Sequence, residues 1–244
     1  MPPFSWIMIA GITLTAGFIQ SVTGFGFGIF AMIFLPIVVS YGEASALSSI
    51  LSSLSSLVIA LPLLRRIHWK NLLFPLLGSL PLTFAAVAFV KTQTNEVLTL
   101  LLGVALFLLS VYFYFFSHRV RIRPTWYAGL TAGLISGVMS GLFAVGGPPV
   151  VVYFLQSEEN PDQYLATISA YFVLAGVFSV AAKTTAGFVT GAVLIGTLIG
   201  IAAMLLSALI GKRVRGRIRA DLLKKVIYGV MALSGAINVV TALM

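Results

Sequence analysis

Gln20-Ser21-Val22-Thr23-Gly24-Phe25-Gly26-Phe27-Gly28 lies inside an apolar block covering residues 6–40, and it cannot be ordinary helix. A glycine in a helix interior costs about 1 kcal/mol relative to alanine, and this stretch has three of them two residues apart. Glycines at that spacing do not share a helix face, so they are not a packing stripe. Length leads to the same conclusion. A continuous helix of about 35 residues would rise roughly 52 Å, against about 30 Å of bilayer hydrocarbon. Tilt cannot absorb that excess, so the block is expected to break at these glycines. A second long block, 126–155, carries Gly146-Gly147-Pro148-Pro149, where proline stops one helix and suits the first turn of the next.

The rest of the chain places both breaks in a membrane. Of its 244 residues 59% are hydrophobic and only 9% are charged, against about 25% charged in soluble domains. A soluble enzyme or a nucleic-acid binder is thereby excluded. The net charge of +9 is concentrated in short loops, as the positive-inside rule requires of cytoplasmic connections. There are no cysteines, so disulfide and thiolate chemistry are absent. The N-terminus has no basic region before its apolar run, so a cleaved signal peptide is not expected.

Charges and turn residues divide the chain into eight apolar blocks: 6–40, 44–64, 71–90, 97–116, 126–155, 163–182, 188–210 and 222–243. Ala16-Gly17-Phe18-Ile19 recurs as Ala132-Gly133-Leu134-Ile135, and Leu102-Gly103-Val104 resembles Tyr228-Gly229-Val230 at a similar offset. The expected fold is an all-α polytopic membrane protein of two inverted repeats, each a broken-helix hairpin plus three transmembrane helices. Residues 1–117 form the first repeat, 118–124 a basic cytoplasmic linker and 125–244 the second repeat. The linkers with Arg65, Arg66 and Lys70, with Arg119, Arg121 and Arg123, and with Lys212, Arg213, Arg215, Arg217, Arg219, Lys224 and Lys225 are all assigned to the cytoplasm. The fifth block then has both ends inside, the first both ends outside, and the two tips meet near the midplane. Glu158 and Glu159 fall inside as well, against the charge trend, but acids count little in this rule.

Unwound backbone at membrane depth is tolerated only where protein or a water-filled cavity surrounds it. The second arm of each hairpin would aim its first amides at the centre, an environment that favours anions. Pro148 and Pro149 have no N–H, so Gly146, Gly147 and Val150 must supply the donors there. Gly129, Gly133, Gly137 and Gly141 are spaced by four, share a face and read as close helix packing. Ser45, Ser49, Ser52 and Ser56 share one face of the second block. They serve either as neighbour-bonding hydroxyls or as an anion path. All six acids lie at block ends or in loops. A cation pump or proton relay would place carboxylates mid-span. His68 and His118 lie in basic linkers and offer no metal cluster. Lys183 ends the sixth block either as a snorkelling lysine or as an attractor of anions at the outer mouth, and Lys91 is a weaker case.

The residues Ala16-Gly17-Phe18-Ile19 leading to Gly24-Phe25-Gly26-Phe27-Gly28, and Gly141-Leu142-Phe143-Ala144-Val145-Gly146-Gly147-Pro148-Pro149 within 137–153, resemble the two signatures of the TauE/SafE family of sulfite exporters. His68-Trp69-Lys70 and Gly103 add to the likeness, which covers nearly the whole chain. The sequence departs in having Phe25 and Phe27 between its glycines, which leaves the substrate open. The resemblance implies a multi-pass inner-membrane transporter, not an enzyme, for sulfur-containing oxyanions such as sulfite or organosulfonates. A passive anion channel or an importer of a different small anion is the alternative. The candidate substrate-binding residues are Gln20, Ser21, Thr23, Gly24, Gly26 and Gly28 at the first break, and Ser49 and Ser52 on the second block. At the second break they are Ser140, Gly141, Gly146 and Gly147, with Thr167 and Tyr171 on the sixth block. Alanine at Gly26 or Gly147 is expected to cripple transport. No cofactor, metal or nucleic acid is expected. The partners are a small inorganic or organic anion and the lipid bilayer, and a homo-oligomer is compatible with the sequence.

Overall fold

The computed structural model of the chain describes residues 3–116 and 123–214, with 229, 232 and 234–236 beyond them. The linker at 118–122, the basic residues from Arg215 to Lys225 and most of the eighth block lie outside the described residues. Among those described the fold is all-helical: α1 (Pro3–Thr23), α2 (Phe27–Phe34), α3 (Tyr41–Ala60), α4 (Trp69–Lys91), α5 (Asn95–Phe116), α6 (Trp126–Phe143), α7 (Gly147–Ser157), α8 (Pro161–Thr185) and α9 (Gly191–Val214). Seven of them are long and apolar enough to cross a membrane. This is a multi-pass membrane protein. Helices suit that solvent because each satisfies its own backbone groups.

The helix starts are written locally. Ser40 and Glu43 form a capping box at the head of α3. Asn160 accepts from the Gln163 amide at 3.0 Å, with Pro161 opening α8. Side-chain oxygens thus take up first-turn amides that have no partner inside the helix.

Both long blocks break. In the first, Gly24 (φ 83°) and Gly26 (φ 98°) adopt the left-handed conformation, which a Cβ disfavours by about 1–2 kcal/mol. The second breaks earlier than the prolines suggested. Ala144 is left-handed (φ 55°), and α7 begins at Gly147 with proline in its first turn. The proline pair therefore starts the returning helix; it does not form the turn itself.

The arms of each hairpin are unequal: 21 and 8 residues in the first, 18 and 11 in the second. At 1.5 Å per residue the long arms span about 27–31 Å and the short ones about 12–17 Å. The long arms run alongside full-length helices. Ile9 of α1 lies by Gly196 of α9, Gly17 by Ser207, and Ser21 by Gly211, so α1 and α9 are parallel. Gly133 of α6 meets the Pro75 carbonyl of α4, Gly137 that of Ser79, and Gly141 lies by Thr83 and Ala86, so these two are also parallel. The tips therefore pass one another instead of meeting end to end. Gly24 reaches Tyr164 and Leu165, in the first turns of α8.

α3 and α8 cross antiparallel at the centre. Ser53 stands against Gly176, and Ser49 meets Lys183. At one end Thr190 donates to Glu43, and Asn95 accepts from the Tyr41 amide. At the other end Arg66 pairs with Asp162, and His68 Nδ1 lies 2.8 Å from Glu158 Oε2. The acidic loop thus shares a face with the basic linker. Burial raises the Glu158 carboxyl above its ordinary value, opposed by the Asn71 hydrogen bond and the field of His68.

The α4–α6 seam depends on absent side chains. A Cβ at Gly137 would run into the Ser79 backbone, whereas one at Gly11 would meet nothing within 4 Å. Gly137→Val is expected to destabilise the protein by about 1–3 kcal/mol, read as a lower melting temperature in detergent. Gly11→Ala should leave that temperature unchanged or raise it.

Candidate functional site

Between the two passing tips is a cavity of about 50 Å³, about half-way along α3, α4 and α8. A single water needs roughly 10–15 Å³, so this space holds only a few water-sized groups. Its walls are polar without charge. α1 supplies Gln20. Ser49, Ser52 and Ser53 come from α3, and Ser79 and Thr83 from α4. Ser136 and Ser140 of α6 and Tyr171 and Ser179 of α8 complete the hydroxyl lining. Phe25, Phe27 and Phe172 close the apolar side. Among the described residues no lining residue is acidic.

Two helix N-termini contribute to the wall. Gly26 caps α2, and the first-turn residues Phe27, Gly28 and Ile29 line the cavity beside it. First-turn amides have no intrahelical acceptor. Gly26 itself accepts from the Phe30 amide at 3.1 Å, which closes the first full turn of α2. From the other half come Ala144, Val145, Gly146 and Gly147. The two tips touch directly. A Cβ on Gly28 would overlap the Ala144 carbonyl oxygen. Glycine is required there by the neighbour, independently of its own dihedral angles.

Several lining groups are held by named partners. Gln20 Nε2 donates to Ser56 Oγ at 2.6 Å. The Tyr171 hydroxyl and Ser136 Oγ are 2.9 Å apart, and Ser136 also donates to the Gly146 carbonyl. Thr83 donates to the Ser79 carbonyl at 2.8 Å. Ser179 differs: it is 1% exposed, and its hydroxyl has no partner among the described residues. A buried hydroxyl is normally satisfied, so this one has a bond to give.

Of the residues chosen from sequence, the structure brings Gln20, Gly26, Gly28, Ser49, Ser52, Ser140, Gly146, Gly147 and Tyr171 onto this wall. Five stand outside it. Ser21 packs against Gly211 of α9. Thr23 donates to the Ile19 and Phe25 carbonyls and so braces the break. Gly24 faces the start of α8, and Gly141 faces α4. Thr167 accepts from the His68 amide at 3.1 Å, at the charged end. Sequence reasoning missed Ser79 and Thr83, Ser53, Ser136 and Ser179. Ser79 with Thr83, and Ser136 with Ser140, are i, i+4 pairs, a signal that could have found them.

A Cβ at Gly147 would meet Phe172 and Phe25 at 3.5–3.6 Å, ordinary contact. Sterics therefore give no reason for Gly147→Ala to be crippling, whereas Gly28→Ala must push the tips apart.

The family described as Sulfite exporter TauE/SafE matches the chain over residues 9–237. The chain is 23% identical over 231 residues to the probable sulfite/organosulfonate exporter TauE of Cupriavidus necator, an alignment that covers 90% of this chain and 88% of that protein. No solved structure gives a significant match.

The tip contact can be tested covalently. The Cβ of Phe25 lies 3.6 Å from an ideal Cβ at Gly147, within the roughly 3.5–4.5 Å that a disulfide spans. The Phe25→Cys/Gly147→Cys variant, in a chain without native cysteine, should oxidise to one intramolecular bridge. Mass spectrometry would show it as the loss of both thiol hydrogens, about 2 Da, on forming a bond of normal disulfide geometry. Failure to bridge in folded protein would separate the tips.

Proposed function

We propose that this chain, which belongs to the sulfite exporter TauE/SafE family, moves a small sulfur-containing oxyanion such as sulfite or the head of an organosulfonate out across a bacterial inner membrane. The observation that carries this reading is the uncharged, hydroxyl-lined cavity at mid-height, into which two helix N-termini converge. Neutral donors and helix amides suit an anion, and they hold it weakly enough to release it. Among the described residues the wall has no carboxylate, which would repel it.

In this reading Gln20, Ser49, Ser52, Ser140 and Tyr171 supply side-chain hydrogen bonds. Gly26, Gly28, Gly146 and Gly147 let main chain approach the ion. Ser21, Thr23, Gly24, Gly141 and Thr167 hold the helices that carry these groups. The volume of about 50 Å³ suits the oxyanion head, and an organic tail requires the arms to part.

The mechanism follows from two inverted repeats, 1–117 and 125–244, joined by the basic segment 118–124. The pairings support it: α1 runs parallel to α9 and α6 to α4, while α3 and α8 cross antiparallel. An exchange of halves about an axis in the membrane plane maps each pairing onto its counterpart. Rocking one half against the other would expose the cavity to each face in turn. Basic linkers raise anion concentration at the inner mouth. An inside-negative potential supplies about 2.3 kcal/mol per charge per 100 mV, so it drives efflux without a coupled cation.

Proteoliposomes holding the purified protein should release sulfite faster when the interior is made negative, and should show sulfite counterflow. Poorly saturating flux without counterflow would indicate a channel. Flux of no anion at all would remove the reading. Single cysteines at Thr125 and Asn160 should both be labelled from the cytoplasmic side, and one at Phe188 from the opposite side. Labelling of Thr125 and Asn160 from different sides would make α6 and α7 together a full crossing.

A further inference from the structure

We propose that the ammonium of Lys183 is the charge that selects anions in this cavity, standing just beyond its wall and acting on the bound ion through its field. The proposal rests on the reading of the cavity as an anion site and adds the one cation that reading lacks.

Lys183 lies two residues from the end of α8, where a snorkelling lysine would turn to the interface. It does not do so. The residue is 0% exposed, and it is the one charged residue in the buried set among the described residues. Nζ donates to Ser49 Oγ at 2.6 Å and to the carbonyls of Ser45 and Ser140 at 3.4 and 3.3 Å. All three ammonium donors are thereby directed at α3 and α6, and Ser49 and Ser140 themselves line the cavity.

Phe172, Gly176 and Ser179 line the cavity from α8, and Lys183 continues their row at i, i+4, i+7 and i+11. Ser49, which accepts from Nζ, and Ser140 both line the cavity, so the ammonium stands behind the wall at these two residues. The ion pairs among the described residues are Arg66–Asp162 and His68–Glu158, so Lys183 has no carboxylate partner in them. A buried charge in a membrane is otherwise paired. The neutral groups around Nζ satisfy its hydrogen bonds but leave its charge uncompensated, and an oxyanion in the cavity would supply the missing partner. A second observation points to the same ligand. Ser179, one turn away on that row, is 1% exposed and its hydroxyl has no partner among the described residues.

The test compares wild type, Lys183→Gln and Lys183→Arg in proteoliposomes, with sulfite as the probe. Glutamine keeps a donor for Ser49 and loses the charge; arginine keeps the charge and changes the bonding geometry. With wild-type sulfite flux established, Lys183→Gln should raise KM for sulfite at least about tenfold, with kcat changed less. It should also lose the sulfite-induced rise in melting temperature. Lys183→Arg should retain that rise. A Gln variant with wild-type KM and thermal shift overturns the proposal and leaves the anion reading standing. If Lys183→Gln fails to insert, arginine decides: a retained shift supports the charge role, and a lost shift in inserted protein overturns it. Wild-type protein that moves neither sulfite nor any other anion refutes the underlying reading as well.

Discussion

The contact between Gly28 and the carbonyl of Ala144 is the constraint from which the rest of the architecture follows. It joins the first turn of α2 to the turn between α6 and α7 at backbone distance, with no side chain between them. Both partners are irregular or newly started helix, the kind of main chain that lipid does not tolerate. Each tip shields the other's polar groups. The remaining helices then act as a wall that keeps lipid away, exposing residues such as Leu194, Leu198 and Leu209 on the outside of α9.

Two different packing devices support that centre. On one side α6 approaches α4 through glycines, so backbone meets backbone at Gly133 and Gly137. On the other, α1 and α9 interlock small polar side chains with glycines, Ser207 against Gly17 and Ser21 against Gly211. Without a hydrophobic drive between helices in lipid, such close approach is a main source of association energy. The α4–α6 seam also carries a hydrogen bond, from Thr83 to the Gly137 carbonyl at 3.3 Å. α4 contains Pro75 and Pro81 within its length, and Pro75 abuts α6 at Gly129 and Gly133.

The electrostatic layout separates the two ends from the middle. At one rim Arg66 pairs with Asp162, and His68 Nδ1 contacts Glu158. At the other rim Glu43 is held by hydroxyls of Ser40 and Thr190. The centre keeps neutral donors, with Lys183 behind them. The helix ends add their partial positive charge at the point where the main chain is most exposed.

Composition, block lengths and glycine spacing were enough to determine a multi-pass helical protein, the break in each long block, the packing role of the Gly129–Gly141 stripe and the absence of mid-span acids. These are local or additive properties, set by helix rise, propensity and the cost of charge in hydrocarbon. Depth and adjacency were decided only by tertiary structure. Near-full-length first arms carry the tips past each other, because α1 and α6 follow full-length neighbours. Ala144, an ordinary residue in sequence, takes the left-handed turn. Ser79 and Thr83 join the wall while Thr167 leaves for the charged rim, since which face of a helix meets the cavity depends on helices distant along the chain. Lys183 shows the limit most clearly: whether its ammonium reaches water or turns inward depends on Ser45, Ser49 and Ser140 standing within hydrogen-bond reach, and no spacing along the chain encodes that.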